Sequence, residues 1–373
     1  MKDRIPTLDG LRGLAVLLVL WAHLPVDLFG PAGRALYFAV QPGYLGVDLF
    51  FVLSGFLITR ILLADRARGR PLRHFLVRRF ARIFPIYYLL ILAMWLLDPG
   101  SHLAWCAGYL SNFYYAVQRA PSPMEHTWSL AVEEHFYLVW PLAVTWLPVA
   151  TSRRVALLGI LPLAVGLALA TAALEPWLPA QADSLIYRIT WYRILSLGLG
   201  ALFAFGEREL RADPARLWWT AARFLVPALL VLPTALLVDH RFVGPIMLVG
   251  FSLLSSALFL AGLAAHGTGG LPARLLTLPP LRFAGRISYG VYLYHLPILY
   301  AFGVQGSAPG HPPDLGAIGS ALLASLLVAT ASFYAIERPL LRLTEAGRRA
   351  PRRSSGAEAG APAPTAQALG PGA

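Results

Sequence analysis

The chain has 373 residues, of which 57% are hydrophobic and 13% charged, with a net charge of +12 and a mean hydropathy of +0.61. Soluble domains carry about 25% charged residues, so a water-soluble globule is excluded as the whole molecule. The single cysteine, Cys106, excludes an internal disulfide and a cysteine-rich metal site.

Apolar runs of about 20 residues, enough for a helix to cross about 30 Å of hydrocarbon, recur along the chain. They predict an all-α, polytopic membrane protein with about ten transmembrane helices, near 10–28, 43–64, 75–97, 128–148, 155–174, 186–206, 224–238, 243–265, 289–305 and 315–336. Asp9 and Arg12 interrupt the start of the first run and no A-x-A-like site follows, so this span is expected to stay in the mature protein. With Lys2 and Arg4 inside, ten spans place the basic stretches 60–82, 153–154, 208–223, 274–286 and 338–353 on the cytoplasmic side. Arg34, Arg119 and Arg241 are left outside. Both termini are then cytoplasmic. The net charge is accounted for by loops facing anionic lipid head groups, and nucleic acid is not an expected partner.

Counting the apolar stretch 103–117 as a span would invert every later loop. It is therefore placed in an outer loop, or as a re-entrant segment covered by protein. Residues 1–345 form the membrane domain. The Ala-, Gly-, Pro- and Ser-rich residues 346–373 read as a disordered cytoplasmic tail.

A charge at mid-bilayer costs about 2.5–3.5 kcal/mol on insertion scales, so such residues are paired or functional. Arg12 and His23 are eleven positions apart in the first span. That is three turns plus about 20°, so both share one face with a rise of about 16 Å. The alternative is that Arg12 snorkels to lipid phosphates and His23 satisfies a neighbouring carbonyl. Asp48 lies in the outer third of the second span, and Ser54-Gly55 further along reads as a close helix contact. Glu133 and Tyr137 are one turn apart in the outer third of the fourth span, with Glu134 assigned to the outer interface. Arg188 and Arg193 enter the sixth span from outside. Arg193 needs a partner from another span, Asp48 or Glu133, in a structural ion pair or a substrate contact.

At the inner end of the third span, Arg79 and Arg82 form an i,i+3 face for an anion, while Arg78 reads as a positive-inside signal. Ser288, Tyr292 and His295 make one stripe in the inner third of the ninth span. Depth thus sorts His23, Asp48, Glu133 and Arg193 into an outer cluster. Arg12, Arg79, Arg82, Tyr292 and His295 fall into an inner one that suits a phosphate-bearing donor.

Six motifs follow one another over residues 7–342. They are Leu8-Asp9-Gly10-Leu11-Arg12-Gly13 with His23, the stretch 46–55, Arg79-x-x-Arg82-Ile83-x-Pro85, Thr127-Trp128-Ser129-Leu130 through Glu133 and Tyr137, the stretch 193–198, and Ile287-Ser288-Tyr289 through His295-Leu296-Pro297. In this the chain resembles the membrane acyltransferase-3 family of O-acyltransferases, which modify surface polysaccharides, lipopolysaccharide and, in some members, macrolides. The resemblance implies about ten spans in a bacterial cytoplasmic membrane. It implies acyl-CoA, most simply acetyl-CoA, as co-substrate without a permanently bound cofactor or metal, and a sugar, lipid-linked glycan or macrolide-like hydroxyl as acceptor. It points to His23, Glu133 and Arg12 as catalytic, and to Arg79, Arg82, Asp48, Arg193, Trp128, Ser288, Tyr292 and His295 as binding residues.

The chemistry agrees. A hydroxyl needs a base within hydrogen-bond reach, and His23 is the side chain suited to it at neutral pH. Glu133 would orient the ring and Arg12 would neutralise oxyanion or phosphate charge. An acyl-His intermediate is a second route. Leu195 and Ser196 stand where many family members carry an acid, so no on-helix partner for Arg193 is expected. An extracytoplasmic esterase-like domain, fused in some members, is not seen, and the membrane domain is expected to act alone. The alternative function is a transporter or flippase of glycan or lipid precursors. Such proteins tend to show inverted repeats, and none is visible in the sequence.

Overall fold

The structure, a computed structural model, describes residues 5–118, 121–177, 182–305 and 314–346. Among the described residues there is no strand. The helices in chain order are α1 Pro6–Ala22, α2 Gly30–Val40, α3 Pro42–Ala67, α4 Arg73–Leu97, α5 His102–Ala107, α6 Ser111–Val117, α7 Thr127–Trp146, α8 Val149–Arg154 and α9 Leu161–Leu174. They continue with α10 Ala182–Arg188, α11 Thr190–Phe205, α12 Glu207–Arg211, α13 Pro214–Val231, α14 Val243–Ala265, α15 Leu271–Leu276, α16 Pro279–Ala301, α17 Leu315–Ser332 and α18 Arg338–Ala346. Short π-helical turns, Val155–Ile160 and Phe333–Glu337, join α8 to α9 and α17 to α18.

A helix overlaps each stretch expected to span. Six helical segments are long and apolar enough to cross a membrane: Gly30–Ala67, Arg73–Leu97, Val149–Trp177, Pro214–Leu236, His240–Ala265 and Leu315–Thr344. Of the helices that overlap the expected spans, α1, α7, α11 and α16 lie outside that set. They are the ones that carry Arg12, Glu133, Arg193 and His295. α1 and α11 are short, at 17 and 16 residues, and α11 is apolar throughout most of its length; in α7 and α16 charged and polar side chains lower the apolar signal.

The centre of the bundle is α1, packed against α3 and α16, with α11 on the far side of α3. Lipid offers no hydrophobic drive between helices, so close backbone approach supplies the packing. A Cβ on Gly285 would sit 1.8 Å from the Asp9 carbonyl oxygen, and one on Gly55 would sit 2.0 Å from that of Leu197. Gly10, Gly13 and Gly55 of the sequence motifs are thus positions where backbones approach closely.

The stretch 103–117 divides into α5 and α6, of 6 and 7 residues. At 1.5 Å per residue each is about 10 Å long, too short to cross alone. Leu103, Cys106, Ser111, Asn112 and Tyr115 are buried. Tyr87 donates to the Cys106 carbonyl at 2.9 Å and Tyr88 to that of Ala107 at 2.8 Å, which ties the segment to α4. The expected disordered tail beyond residue 346, together with Lys2, Arg4 and Arg119, lies outside the described residues.

A candidate active site in three connected chambers

Three cavities follow one another along α1. The first, of about 630 Å³, is walled by Arg12, Arg60, Arg82, Arg286 and Arg338, with Asp9 and Glu337 among them. The π-helical turn at the end of α17 brings Tyr334 and Glu337 into this wall. Such turns recur at functional sites. Arg60 is held by Glu207 at 2.7 Å.

The second cavity is a waist of about 70 Å³. Arg12, Arg79 and Arg82 line it together with Glu133, Glu134, Tyr137, Ser129 and Tyr292. Both oxygens of Glu133 are occupied: Ser54 donates to Oε1 at 2.8 Å and Tyr137 to Oε2 at 2.9 Å. The Arg79 guanidinium lies 3.9 Å from the Tyr137 ring centroid. The hydroxyls of Ser129 and Tyr292 are 2.5 Å apart. Arg12 and Arg82 are shared between the first cavity and the waist.

The third cavity, of about 120 Å³, is lined by His23, Glu125, His126, Trp128, Tyr187 and Arg188. Val47 and Tyr292 belong both to it and to the waist. Arg188 pairs with Glu125 and donates to Ser184 at 2.7 Å.

His23 caps the end of α1. The last carbonyls of a helix lack intrahelical partners, and His23 Nδ1 meets the Val19 carbonyl at 2.8 Å. The same nitrogen lies 3.3 Å from Nε2 of His295. His295 Nδ1 in turn meets the Tyr292 carbonyl at 2.7 Å. His126 reaches the Leu293 carbonyl through Nε2 at 3.0 Å. Pro297, four residues after Leu293 in α16, has no N–H to offer that carbonyl. The proline therefore frees the acceptor that holds His126.

Arg193 and Asp48 pair with each other at 3.1 Å, both wholly enclosed. Ser196 donates to Asp48 at 2.5 Å. The Arg193 guanidinium sits 5.5, 5.6 and 5.3 Å from the rings of Phe51, Trp128 and Tyr187. Neither charge lines a chamber. The pair underlies Trp128 and Tyr187, whose rings are 4.8 Å apart in the wall of the third cavity.

The expected clusters are partly exchanged. Glu133 lies with Arg12, Arg79 and Ser54 at the waist and does not orient His23, whose Nδ1 is taken by Val19 and His295. The cause is α5 and α6, which set the depth at which α7 begins. His295 lies beside His23 rather than with Arg79 and Arg82, because α16 starts at Pro279, ten residues before the span read from the sequence. Tyr292 borders both groups, and Ser288 lines the waist. Glu134 lines the waist instead of an outer interface, and Ser54 binds Glu133 besides standing next to a packing glycine.

Sequence reasoning passed over His126, Glu125, Tyr187 and Glu337 as site residues. The signal for His126 was the lone Pro297, which announces a carbonyl in need of a donor. Among the described residues no group of three or more His, Cys, Asp or Glu side chains has the geometry of a metal site.

The fold and the site define a multi-pass membrane protein with a row of adjoining polar cavities along α1. The acyltransferase domain family, of the acyltransferase-3 type, matches residues 5–336, and the chain belongs to it. Among its relatives are the peptidoglycan O-acetyltransferase OatA of Listeria monocytogenes, 29% identical over 91% of this chain and 56% of that protein. The putative peptidoglycan O-acetyltransferase YrhL of Bacillus subtilis is 31% identical over 90% of this chain and 55% of its own length. The O-acetyltransferase OatA of Staphylococcus aureus is 28% identical over 90% and 57%. The chain spans little more than half the length of these relatives. No solved structure matches it significantly.

Proposed function

We propose that the chain is an integral-membrane O-acyltransferase that carries an acetyl group from acetyl-CoA to a sugar hydroxyl of the cell wall. The observation that carries this reading is the shared wall between chambers. An arginine-lined cavity with room for a nucleotide-bearing donor meets, through the waist, a chamber holding His23. Ten spans, cytoplasmic termini and a cytoplasmic-membrane location put the large cavity on the cytoplasmic side, where acyl-CoA is made. The His23 chamber then faces the wall polymer that the names of the relatives point to.

Arg12, Arg79 and Arg82 bind the diphosphate or steady the thioester oxygen as it gains charge. His23 Nε2 takes the hydroxyl proton as the new O–C bond forms. The C–S bond breaks, and the CoA thiolate leaves with the electron pair and is then protonated. If His23 itself carries the acyl group, the same Nε2 is the nucleophile.

The test is a proteoliposome assay with labelled acetyl-CoA and peptidoglycan fragments. The wild-type protein should transfer label and release CoA, and His23→Ala should do neither while still inserting. Normal transfer by His23→Ala would sink this mechanism. Movement of glycan without consumption of acetyl-CoA would favour a flippase.

A further inference from the structure

We propose that His295 is a positioning residue for His23: with the Val19 carbonyl it is a second acceptor for the Nδ1 proton, helping to leave Nε2 of that ring free to react. The inference rests on the function proposed above and adds a residue to its machinery. The hydrogen-bond network assigns the protons. A carbonyl oxygen only accepts, so His23 Nδ1, 2.8 Å from the Val19 carbonyl, carries a proton. By the same reasoning His295 Nδ1, 2.7 Å from the Tyr292 carbonyl, carries one. In the neutral ring His295 Nε2 then holds a lone pair. It faces His23 Nδ1 at 3.3 Å, so His23 donates and His295 accepts.

The polarity of the chain is thus set by two backbone carbonyls. His23 Nε2 is left as the ring's basic nitrogen, and His23 lines the outer chamber. The ring planes lie 70° apart with centroids at 4.8 Å, so His295 meets His23 edge-on and does not stack over it. When His23 takes a proton, its Nδ1–H keeps both acceptors. This is the part that a carboxylate plays in a Ser-His-Asp triad, here taken by a neutral imidazole. Both the base route and the acyl-His route need the same Nε2, so the assignment serves either.

The experiment uses the full chain in nanodiscs with ¹⁵N-labelled histidine. The His23 signals are identified by their loss in His23→Gln. Nitrogen shifts should show His23 with its proton on Nδ1 in the wild-type protein. In His295→Phe, which keeps the bulk and removes the second acceptor while leaving the Val19 carbonyl in place, the share of the Nε2–H tautomer should rise. In His295→Gln, whose amide oxygen replaces Nε2 as acceptor, the Nδ1–H form should persist.

Turnover of acetyl-CoA with peptidoglycan fragments is measured on the same samples. His295→Phe should lose about 10- to 100-fold in kcat, less than the whole 10²–10⁴ that a positioned base contributes, at unchanged KM for acetyl-CoA. His295→Gln should recover most of that loss. A packing role would reverse the order and leave the tautomer alone. A His23 proton on Nε2 in the wild-type protein, or a His295→Phe spectrum like the wild type, would overturn the proposal. Full turnover in His23→Gln would instead refute the functional reading, whatever the spectrum shows.

Discussion

Arg193 is enclosed completely, with one carboxylate and three aromatic faces around it. Removing one member of such a pair leaves an uncompensated buried charge at a cost of about 3–5 kcal/mol. Asp48→Ala should therefore lower the yield and melting temperature of the detergent-solubilised protein. The double variant Asp48→Ser with Arg193→Met should recover both, because no charge is left stranded. A stable but inactive Asp48→Ala would instead mark the pair as a substrate contact. Ser54 makes the opposite case. It donates one hydrogen bond to Glu133 at the waist, and such a bond to a charged group is worth about 1.5–3 kcal/mol. Ser54→Ala should cut turnover about tenfold and lower the melting temperature less than Asp48→Ala does, as read from paired kinetic and thermal measurements.

At the scale of elements, the proline of α16 exchanges one intrahelical bond for one between helices. In Pro297→Ala a backbone N–H competes with His126 for the Leu293 carbonyl. The helix should gain stability while acyl transfer falls, and thermal melting beside a transfer assay would show the two moving apart. The glycine crossings behave differently: Gly285→Leu drives a side chain into the Asp9 backbone and should abolish recovery of monodisperse protein.

These cases also show what periodicity can and cannot read. The spacing of Arg12 and His23 on one face, and the i,i+3 pair Arg79 and Arg82, are properties of single helices. They were legible in sequence because helix geometry alone sets them. Depth is not local. Where α7 starts is set by how residues 101–118 and 121–126 pack, and where α16 starts depends on its first two turns, whose Arg282 and Arg286 weaken the apolar signal. Hence Glu133 and His295 were assigned to each other's neighbourhoods, although each was singled out as a site residue. Ser54 reads as packing and Glu134 as interfacial in the sequence because their places at the waist exist only once a second helix is beside them.

The whole molecule offers a direct test of orientation. Its single cysteine is buried, so an added surface thiol can be labelled against a quiet background. With ten spans, Ser101→Cys should react with an impermeant maleimide on intact cells, and Ala212→Cys only after permeabilisation; the reverse pattern would invert the proposed topology. The same architecture carries a liability. Val47 and Tyr292 stand in the wall shared by the second and third chambers, and in the proposed orientation the membrane around those chambers must hold an ion gradient. A residue in that wall is then expected to serve as an electrical seal, and Tyr292 is the larger of the two. Tyr292→Gly should let proteoliposomes lose an imposed proton gradient faster than the wild-type protein does, even with no substrate present. An enzyme that works across a bilayer has to be insulated as well as active, and here one phenol ring stands in both roles.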